Sequence, residues 1–571
     1  MKHSLKTGFP RKFVPVDADM GDWPQIEPLF DLLDDRPIET PEQLQQWLLD
    51  QSELDACINE EFSKRYVAMT CHTDDQQIEA AYLHCVENIM PPCKPRWHAL
   101  REKFIHAAAR KQLDHQRYFV YDRSVASAVE IFREENIPLQ TDDEKLDQQY
   151  KKITGVMTVT YDGQEQTLPQ MSRYLEMPDR AVRQTAWELV ARRRLVDRDA
   201  IDDIFDKMIA TRTQIGQNAG FDNFRDYQFR AYERFDYDPD ACFAFHEAIE
   251  KVAVPAKRGI QQQRRQRLNV ETLRPWDLAV DTANRPPLKP FETVDQLTTQ
   301  CSTIFHRLDK TLGQQFDLMV RSGWMDLASR KGKAPGGYQA TFDEARHPFI
   351  FMNAVSQHQD VQTLIHEAGH AFHTFACRNE PLLAYRHCGM EMAEVASMGM
   401  EMIAQDYLDV FYESENLVRA KREHLEDVVT LFPWIATIDA FQHWLYTHPD
   451  HTRNERTAQW NSLLERFGGI EDYTTYEQMR DALWQRQLHL FGCPFYYIEY
   501  GIAQIGALQL WQNTRKNPDK ALQQYREALA LGGSRPLPEL WSAAGLTFDF
   551  SKKTLRPLIE AVLTELDTLP G

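Results

Sequence analysis

The residues best suited to chemistry lie in the stretch VQTLIHEAGHAFHTFA, residues 361–376. It places His366, Glu367 and His370 in an HExxH pattern. Residues four apart share one face of a helix, so both imidazoles can bind one zinc ion while the glutamate between them faces a water molecule at the metal. This spacing is typical of zinc hydrolases in which the glutamate is the general base.

A zinc site of this kind needs a third protein ligand. The metzincin pattern requires a glycine and a histidine where this chain has His373 and Ala376, which excludes that class. Residues 390–401, MEMAEVASMGME, predict a second, largely apolar helix that carries several carboxylates. Buried carboxylates need a compensating cation, so one of them should bind the metal. Spacing alone leaves both Glu391 and Glu394 open.

The first helix also has to pack against the rest of the protein. Asp360 is a predicted N-cap, and an apolar stripe follows at helical spacing: Val361, Ile365, Ala368, Phe372 and Phe375. Gly369 lowers helix propensity by roughly 1 kcal/mol relative to alanine and predicts close approach by a neighbouring element.

Two short apolar runs, residues 334–342 and 348–353, predict a small β-sheet just before the metal helix. A strand beside a zinc site can accept an extended peptide as an additional strand. We therefore expect Gly337 and Phe351 to bind substrate, although the same pattern also suits a hairpin of the core.

The remainder of the chain is predicted to be mostly helical. Residues 40–147 are predicted to form amphipathic helices, with breaks expected at Pro91-Pro92 and at Pro95. Residues 156–168 predict a β-hairpin with an Asp-Gly turn. We place the domain boundary at this hairpin, giving an N-terminal helical region, 1–150, and a catalytic region, 151–571. Helices are predicted again over 180–219 and 238–267.

Composition excludes several classes of partner. With a net charge of −20, the 571-residue chain should bind neither nucleic acid nor an anionic membrane surface. The amino terminus lacks the apolar core of a signal peptide, and we find no stretch suited to membrane insertion. Nine scattered cysteines without a CxxC pair favour reduced thiols and a cytoplasmic location.

A family resemblance follows from these motifs. HEAGHAFH followed by AEVAS resembles the thimet oligopeptidase and oligoendopeptidase F family of zinc peptidases, and its Pz-peptidase branch most closely. The likeness extends to GGYQATF, PFIFMN, DAFQHW, PFYYIEYGIAQIGALQLW and GGSRPLPELWSAAGLTFDFS, and so covers the chain broadly from about residue 150 to its end.

The resemblance implies a mainly α, two-lobed, zincin-type metallopeptidase around a deep substrate channel, with a small β-sheet beside the zinc helix. It implies one zinc ion per chain, with Glu394 as the third ligand. It also implies that a downstream histidine and tyrosines act on the substrate: Tyr500 and His489 at the oxyanion, Tyr496 and Tyr497 in substrate binding. We expect Tyr496 and Tyr500 to share a helical face. His489 lies farther from the first tyrosine than in thimet-type members, and Ala503 replaces a later tyrosine.

These observations predict an enzyme that uses zinc to cleave internal bonds of short oligopeptides. Its partners would be these oligopeptide substrates, and the protein would be a monomer or a dimer. Two alternatives stay open from the sequence. A zinc exopeptidase, for instance carboxypeptidase-like, would use the same metal chemistry, and a peptide-binding protein with a relic site would use none. The intact Glu367 argues against a relic site.

Overall fold

The structure is a computed structural model that describes residues 8–330, 332–334 and 336–569. Residues 1–7, part of the segment in which no signal peptide is predicted, and Pro335, in the predicted turn before the small sheet, lie outside the described residues. The described chain is mainly helical with five short strands, which confirms the predicted fold class. None of its helices combines the length and the hydrophobicity that crossing a lipid bilayer requires.

The elements are numbered in chain order. Up to residue 322 they are α1 (Trp23–Asp35), α2 (Pro41–Cys71), α3 (Gln76–His84), α4 (Met90–His106), α5 (His115–Ile131), α6 (Asn136–Gly155), β1 (Thr158–Tyr161), β2 (Gln164–Thr167), α7 (Leu168–Met171), α8 (Arg180–Val196), α9 (Arg198–Asn218), α10 (Phe224–Ala231), α11 (Pro239–Arg267), α12 (Val294–Leu308) and α13 (Lys310–Ser322). The rest are β3 (Met325–Ala328), β4 (Tyr338–Phe342), β5 (His347–Ala354), α14 (His358–Cys377), α15 (Leu383–Arg386), α16 (Met390–Ala404), α17 (Ser414–Thr447), α18 (Arg453–Phe467), α19 (Glu477–Asp481), α20 (His489–Gly492), α21 (Ile498–Lys516), α22 (Pro518–Ala530), α23 (Leu537–Ala543) and α24 (Lys552–Thr568).

The chain folds into two compact units, each built from three segments. The first unit comprises the described residues up to 130, 289–417 and 506–548, and the second comprises 131–288, 418–505 and those from 549 onward. The first unit therefore holds both the N-terminal helices and the HExxH helix. The division into domains at residue 150 stays a prediction.

In the first unit, the predicted small sheet has three strands in the order β3-β5-β4. β5 pairs with β3 in parallel and with β4 in antiparallel, with Gln339 opposite Ile350. Both edges of β5 are therefore occupied, and β4 is an outer strand. The chain turns from β5 directly into α14, so the sheet lies beside the HExxH helix as predicted.

The start of α14 differs from the prediction. Its N-cap is Gln357, and Asp360 occupies the third helical position. There the Asp360 carboxylate accepts hydrogen bonds from the backbone N–H groups of Val355 and Gln357, both at 2.8 Å. The acidic side chain thus satisfies the helix start from inside the first turn, as in a capping box. The predicted apolar stripe is confirmed, since all five of its residues are buried.

Gly369 lies where α14 meets α16. A Cβ atom on Gly369 would be 2.5 Å from the carbonyl oxygen of Ala396 and 2.6 Å from Cα of Ser397. Only glycine lets the two backbones approach so closely, which confirms the role predicted for it. Tyr525 donates a hydrogen bond to the same Ala396 carbonyl at 2.7 Å and so also holds α16 in place.

The N-terminal prolines follow the prediction only in part. Pro91 and Pro92 occupy the first turn of α4, which a π-helical turn, Cys85–Ile89, joins to α3, so the chain changes helix type there without leaving the helix. The break predicted at Pro95 is wrong, because Pro95 lies inside α4.

The second unit contains the predicted hairpin, in which β1 and β2 pair in antiparallel from Thr158–Thr167 to Tyr161–Gln164. Asp162 and Gly163 both have positive φ, 51° and 73°, as a two-residue hairpin turn requires. The helices predicted around it are present as α8, α9 and α11.

Candidate metal centre and aromatic cluster

The two histidines of the HExxH pattern converge with Glu394 in the first unit. α14 supplies His366 and His370, and the first half of α16 supplies Glu394. The Oε2 atom of Glu394 lies 3.4 Å from Nε2 of His366 and 3.7 Å from Nε2 of His370. One ligand atom from each residue lies within 4.8 Å of the others. Two nitrogens and a carboxylate oxygen are a donor set that suits zinc.

Two of the three groups at this centre, His366 and Glu394, are held by a neighbour on α16. The Nδ1 atom of His366 donates to Oε1 of Glu401 at 2.6 Å, so Nε2 faces Glu394. Ser397 donates its hydroxyl to Oε2 of Glu394 at 3.0 Å. Such partners fix the rings and carboxylates that bind metals.

Neither Glu401 nor Ser397 belongs to a sequence motif that predicts a role for it. Glu401 is one of several carboxylates on the predicted second helix. The only signal for it is its spacing of seven residues from Glu394, which places both side chains on the same helical face. Glu391 is buried as well, but it is not part of the group whose ligand atoms converge.

The protonation states favour metal binding. Burial lowers the pKa of His370 to about 4, so its imidazole is neutral near pH 7. Burial alone would raise the pKa of Glu394, but the hydrogen bond from His366 and the charges of both histidines outweigh it and lower that pKa to about 2. Burial opposes protonation of His366, whereas Glu394 and Glu401 raise its pKa well above the ordinary value. A proton and a metal ion therefore compete for this imidazole.

Glu367 is buried beside the centre, and only 6% of its surface is exposed. Burial raises the pKa of its carboxyl to about 7, and the charges of Glu394 and Glu401 act in the same direction. The charge of His366 and a backbone hydrogen bond from Gln339 on β4 oppose the shift. A carboxyl group whose pKa lies near neutrality can both accept and donate a proton, as general acid-base catalysis requires.

The two residues predicted on the sheet differ in their surroundings. Gly337 is exposed immediately before β4. Phe351 lies on the central strand β5, where its side chain is fully buried and its ring stacks on Tyr338 at 4.8 Å. Phe351 thus packs against the outer strand β4, and its side chain has no exposed surface that a substrate could contact.

The structure brings the remaining predicted residues together in the second unit. The ring of His489 lies 5.9 Å from that of Tyr496, 4.9 Å from that of Tyr497 and 5.8 Å from that of Tyr500. Gln487 contacts Nδ1 of His489 at 2.6 Å. We call these four rings the aromatic cluster. Tyr497 is its most buried member, and burial raises the pKa of its hydroxyl to about 12.

The prediction that Tyr496 and Tyr500 share a helical face is wrong. α21 begins at Ile498, and Tyr496 lies in the turn before it. Phe495, with φ of 70°, reverses the chain there. The two tyrosine rings nevertheless contact each other at 5.3 Å. Arg234 fixes the turn by donating to the carbonyl of Phe495 at 2.5 Å and by pairing with Glu499 at 2.8 Å.

Comparisons with known proteins extend these observations. The chain is 26% identical to an oligoendopeptidase F homolog of Borreliella burgdorferi over 300 residues, which are 50% of this chain and 49% of the relative. It is 24% identical to oligopeptidase PepF of Bacillus subtilis over 41% of this chain and 36% of that protein. The chain thus spans about half the length, or less, of these curated relatives.

Among solved structures, Pz peptidase A in complex with an inhibitor is similar over nearly the whole length. The two superpose with a TM-score of 0.91 over 98% of this chain and 99% of the other, at 26% identity. The model of peptidase family M3 matches residues 173–558, which include α14, α16 and the aromatic cluster. The resemblance noted in the sequence is therefore confirmed, and the chain belongs to peptidase family M3.

Proposed function

We propose that this protein is a zinc-dependent endopeptidase that hydrolyses internal bonds of short oligopeptides. The observation that carries the proposal is the convergence of His366, His370 and Glu394 beside the buried carboxyl of Glu367. Membership of a peptidase family supports hydrolysis of peptide bonds. The names of the relatives, oligoendopeptidase F and oligopeptidase, support internal cleavage of short substrates.

The donor set fits zinc, and His366, His370 and Glu394 would hold it. Three protein ligands leave a coordination position open, which is typical of catalytic rather than structural zinc sites. When bound there, zinc supplies Lewis acidity: it polarises a carbonyl and lowers the pKa of water to about 7.

Glu367 is the proposed general base and acid. Its carboxylate accepts a proton from the attacking water, and the resulting carboxylic acid returns the proton to the leaving amine. Burial, which raises the pKa of this carboxyl, favours the protonated state from which the proton is returned. Glu401 positions the His366 ring so that Nε2 is directed to the ligand set.

We infer that the substrate pairs with β4 rather than with β5, because β5 has neighbours on both edges. An extended peptide added to the outer strand would gain main-chain hydrogen bonds that do not depend on its side chains. Gly337 lies at the start of this strand. Gln339 lies on it beside Glu367, so a peptide bound here would lie close to the base.

We further propose that Tyr500 and His489 stabilise the oxyanion and that Tyr496 and Tyr497 hold the substrate. The clustering of the four rings supports a shared role. Phenol and imidazole N–H groups are suitable donors to a developing negative charge. We also propose that a substrate channel admits only short peptides.

We infer a cytoplasmic location from the cysteines. All nine are free in the structure, and seven are buried. Free thiols are the usual state of cysteine in the reducing cytoplasm.

An internally quenched peptide that is blocked at both ends tests the proposal. The zinc-loaded protein should cleave it, a chelator should abolish cleavage, and added zinc should restore it. Cleavage of free-ended peptides alone would identify an exopeptidase, and binding without turnover would identify a peptide-binding protein; either result would contradict the proposal.

A further inference from the structure

A second cluster of metal-binding side chains lies in the second unit. α11 and α17 each contribute a pair of residues one helical turn apart: Cys242 and His246 from α11, and Asp439 and His443 from α17. Among the described residues, Cys242, Asp439 and His443 bring one ligand atom each within 4.8 Å of the others. The function proposed above gives these residues no role.

The cluster is buried almost completely. Cys242 and Asp439 have no exposed surface, and His246 and His443 are 3% and 4% exposed. The ring of His443 contacts that of Phe229 at 5.9 Å and that of Phe495 at 5.4 Å, and both phenylalanines are buried. An ionised carboxylate in such an apolar setting requires a compensating positive charge.

Hydrogen bonds within the protein satisfy only part of this group. His246 contacts Oδ2 of Asp439 through Nε2 at 2.7 Å. Neither ring nitrogen of His443, nor Oδ1 of Asp439, has a hydrogen-bond partner among the described residues. Nε2 of His443 lies 3.3 Å from Oδ2 of Asp439, close enough for a charged contact. Buried polar atoms without partners are uncommon and costly.

We propose that Cys242, Asp439 and His443 form a second zinc site. One thiolate, one imidazole and one carboxylate are a donor set typical of zinc, whereas magnesium and calcium prefer oxygen ligands. A divalent cation would balance the charges of the thiolate and the carboxylate, and the thiol proton would leave to solvent on binding. His246 fixes the carboxylate through its hydrogen bond, as groups beside metal ligands commonly do.

A metal ion at this site would also affect the aromatic cluster. Gln442, next to His443 in sequence, accepts a hydrogen bond from the backbone N–H of Phe495 at 2.6 Å. Phe495 begins the turn that carries Tyr496 and Tyr497. Joining α11 to α17 at His443 would therefore stiffen the base of that turn. The site is distinct in composition from the centre on α14, whose ligands include no thiol.

Cobalt spectroscopy separates the two sites, because only a thiolate ligand gives an intense near-ultraviolet charge-transfer band. The full-length chain would be freed of metal with a chelator and reloaded with Co²⁺. A His366→Ala variant, in which the centre on α14 is disabled, should retain the band. Adding Cys242→Ser should abolish it, whereas adding Cys301→Ser, which changes a cysteine buried to the same extent, should leave it intact.

Metal analysis gives a second measurement. The unmodified chain should bind about two zinc ions, one at each site, and His366→Ala should bind about one, at the cluster in the second unit. A His366→Ala chain without bound metal and without the band would contradict the proposal and identify the cluster as a metal-free ion pair. A band that survives Cys242→Ser would come from another thiol and would also contradict it. The His366→Ala result decides the matter even where Cys242→Ser impairs folding.

Discussion

At the scale of single residues, the central assignment is that Glu394, rather than Glu391, completes the metal site. Both are buried on α16, but only Glu394 approaches the imidazoles. Glu394→Ala should therefore reduce zinc occupancy of the centre on α14 severely, and Glu391→Ala should leave it nearly unchanged. Metal analysis after gel filtration measures both. Equal losses, or a larger loss in Glu391→Ala, would mean that the second helix contributes a different ligand.

Glu401 provides a graded test of ligand orientation. Its carboxylate accepts the Nδ1 hydrogen bond of His366, and loss of such a partner typically costs 10- to 100-fold in metal affinity or activity. We expect Glu401→Ala to fall in that range and Glu401→Gln, which keeps an acceptor without the charge, to fall between it and the unmodified protein. Competition with a chromophoric chelator measures the zinc affinity. Unchanged affinity in Glu401→Ala would remove this role.

At the scale of elements, the approach of α14 to α16 depends on Gly369. Alanine there would place Cβ against the backbone of Ala396 and Ser397, which no side-chain movement can relieve. We expect Gly369→Ala to destabilise the protein by about 1–3 kcal/mol and to weaken zinc binding, because Glu394 would move away with α16. Thermal unfolding with and without zinc measures both effects.

The matched control is Gly259→Ala in α11. No atom lies within 4 Å of a Cβ at this position, so alanine should be neutral or stabilise the helix by up to about 1 kcal/mol. A similar loss of stability in the two variants would indicate that the close approach of α14 and α16 is not what selects Gly369.

The sheet beside α14 carries a pH dependence of its own. His347 at the start of β5 stacks on Trp324 with ring centroids 3.9 Å apart, and burial lowers its pKa to about 4. The unfolded chain, with an ordinary histidine pKa near 6.5, binds more protons between these two values. The contribution of His347 to stability is therefore complete above pH 6.5 and declines as the pH falls towards 4, by up to about 1.4 kcal/mol per pH unit.

His347→Gln should remove this part of the pH dependence. Urea unfolding between pH 6.5 and pH 4.5, followed by far-ultraviolet circular dichroism, should show a shallower decline in stability for the variant. The same decline in both proteins would assign the acid sensitivity to other groups.

At the scale of the whole molecule, regular patterns of sequence predicted the structure well. The HExxH helix, its apolar stripe, the hairpin at residues 158–167 and the small sheet are all present. Each depends on local spacing or on turn chemistry that a few neighbouring residues determine. The predictions that proved wrong concern boundaries. Asp360 stabilises its helix from the third position, and Phe495 delays the start of α21 beyond Tyr496.

Contacts between distant segments could not be predicted in this way. Glu401 was one of several carboxylates on α16, and its hydrogen bond with His366 forms only when α16 packs against α14. The pair on α11 and the pair on α17 are separated by more than 190 residues, and neither resembles a metal motif by itself. The two compact units are likewise assembled from segments far apart in sequence. The composition of these segments did not predict which of them belong to the same unit.

Central to the proposed function is that Glu367 supplies the proton transfers at a metal centre which His366, His370 and Glu394 hold without it. The most direct measurement is turnover of a doubly blocked peptide by Glu367→Gln, with zinc content determined on the same sample. Cleavage should be abolished while zinc occupancy equals that of the unmodified protein. Substantial cleavage by this variant with zinc in place would contradict it, because some other group would then be the base.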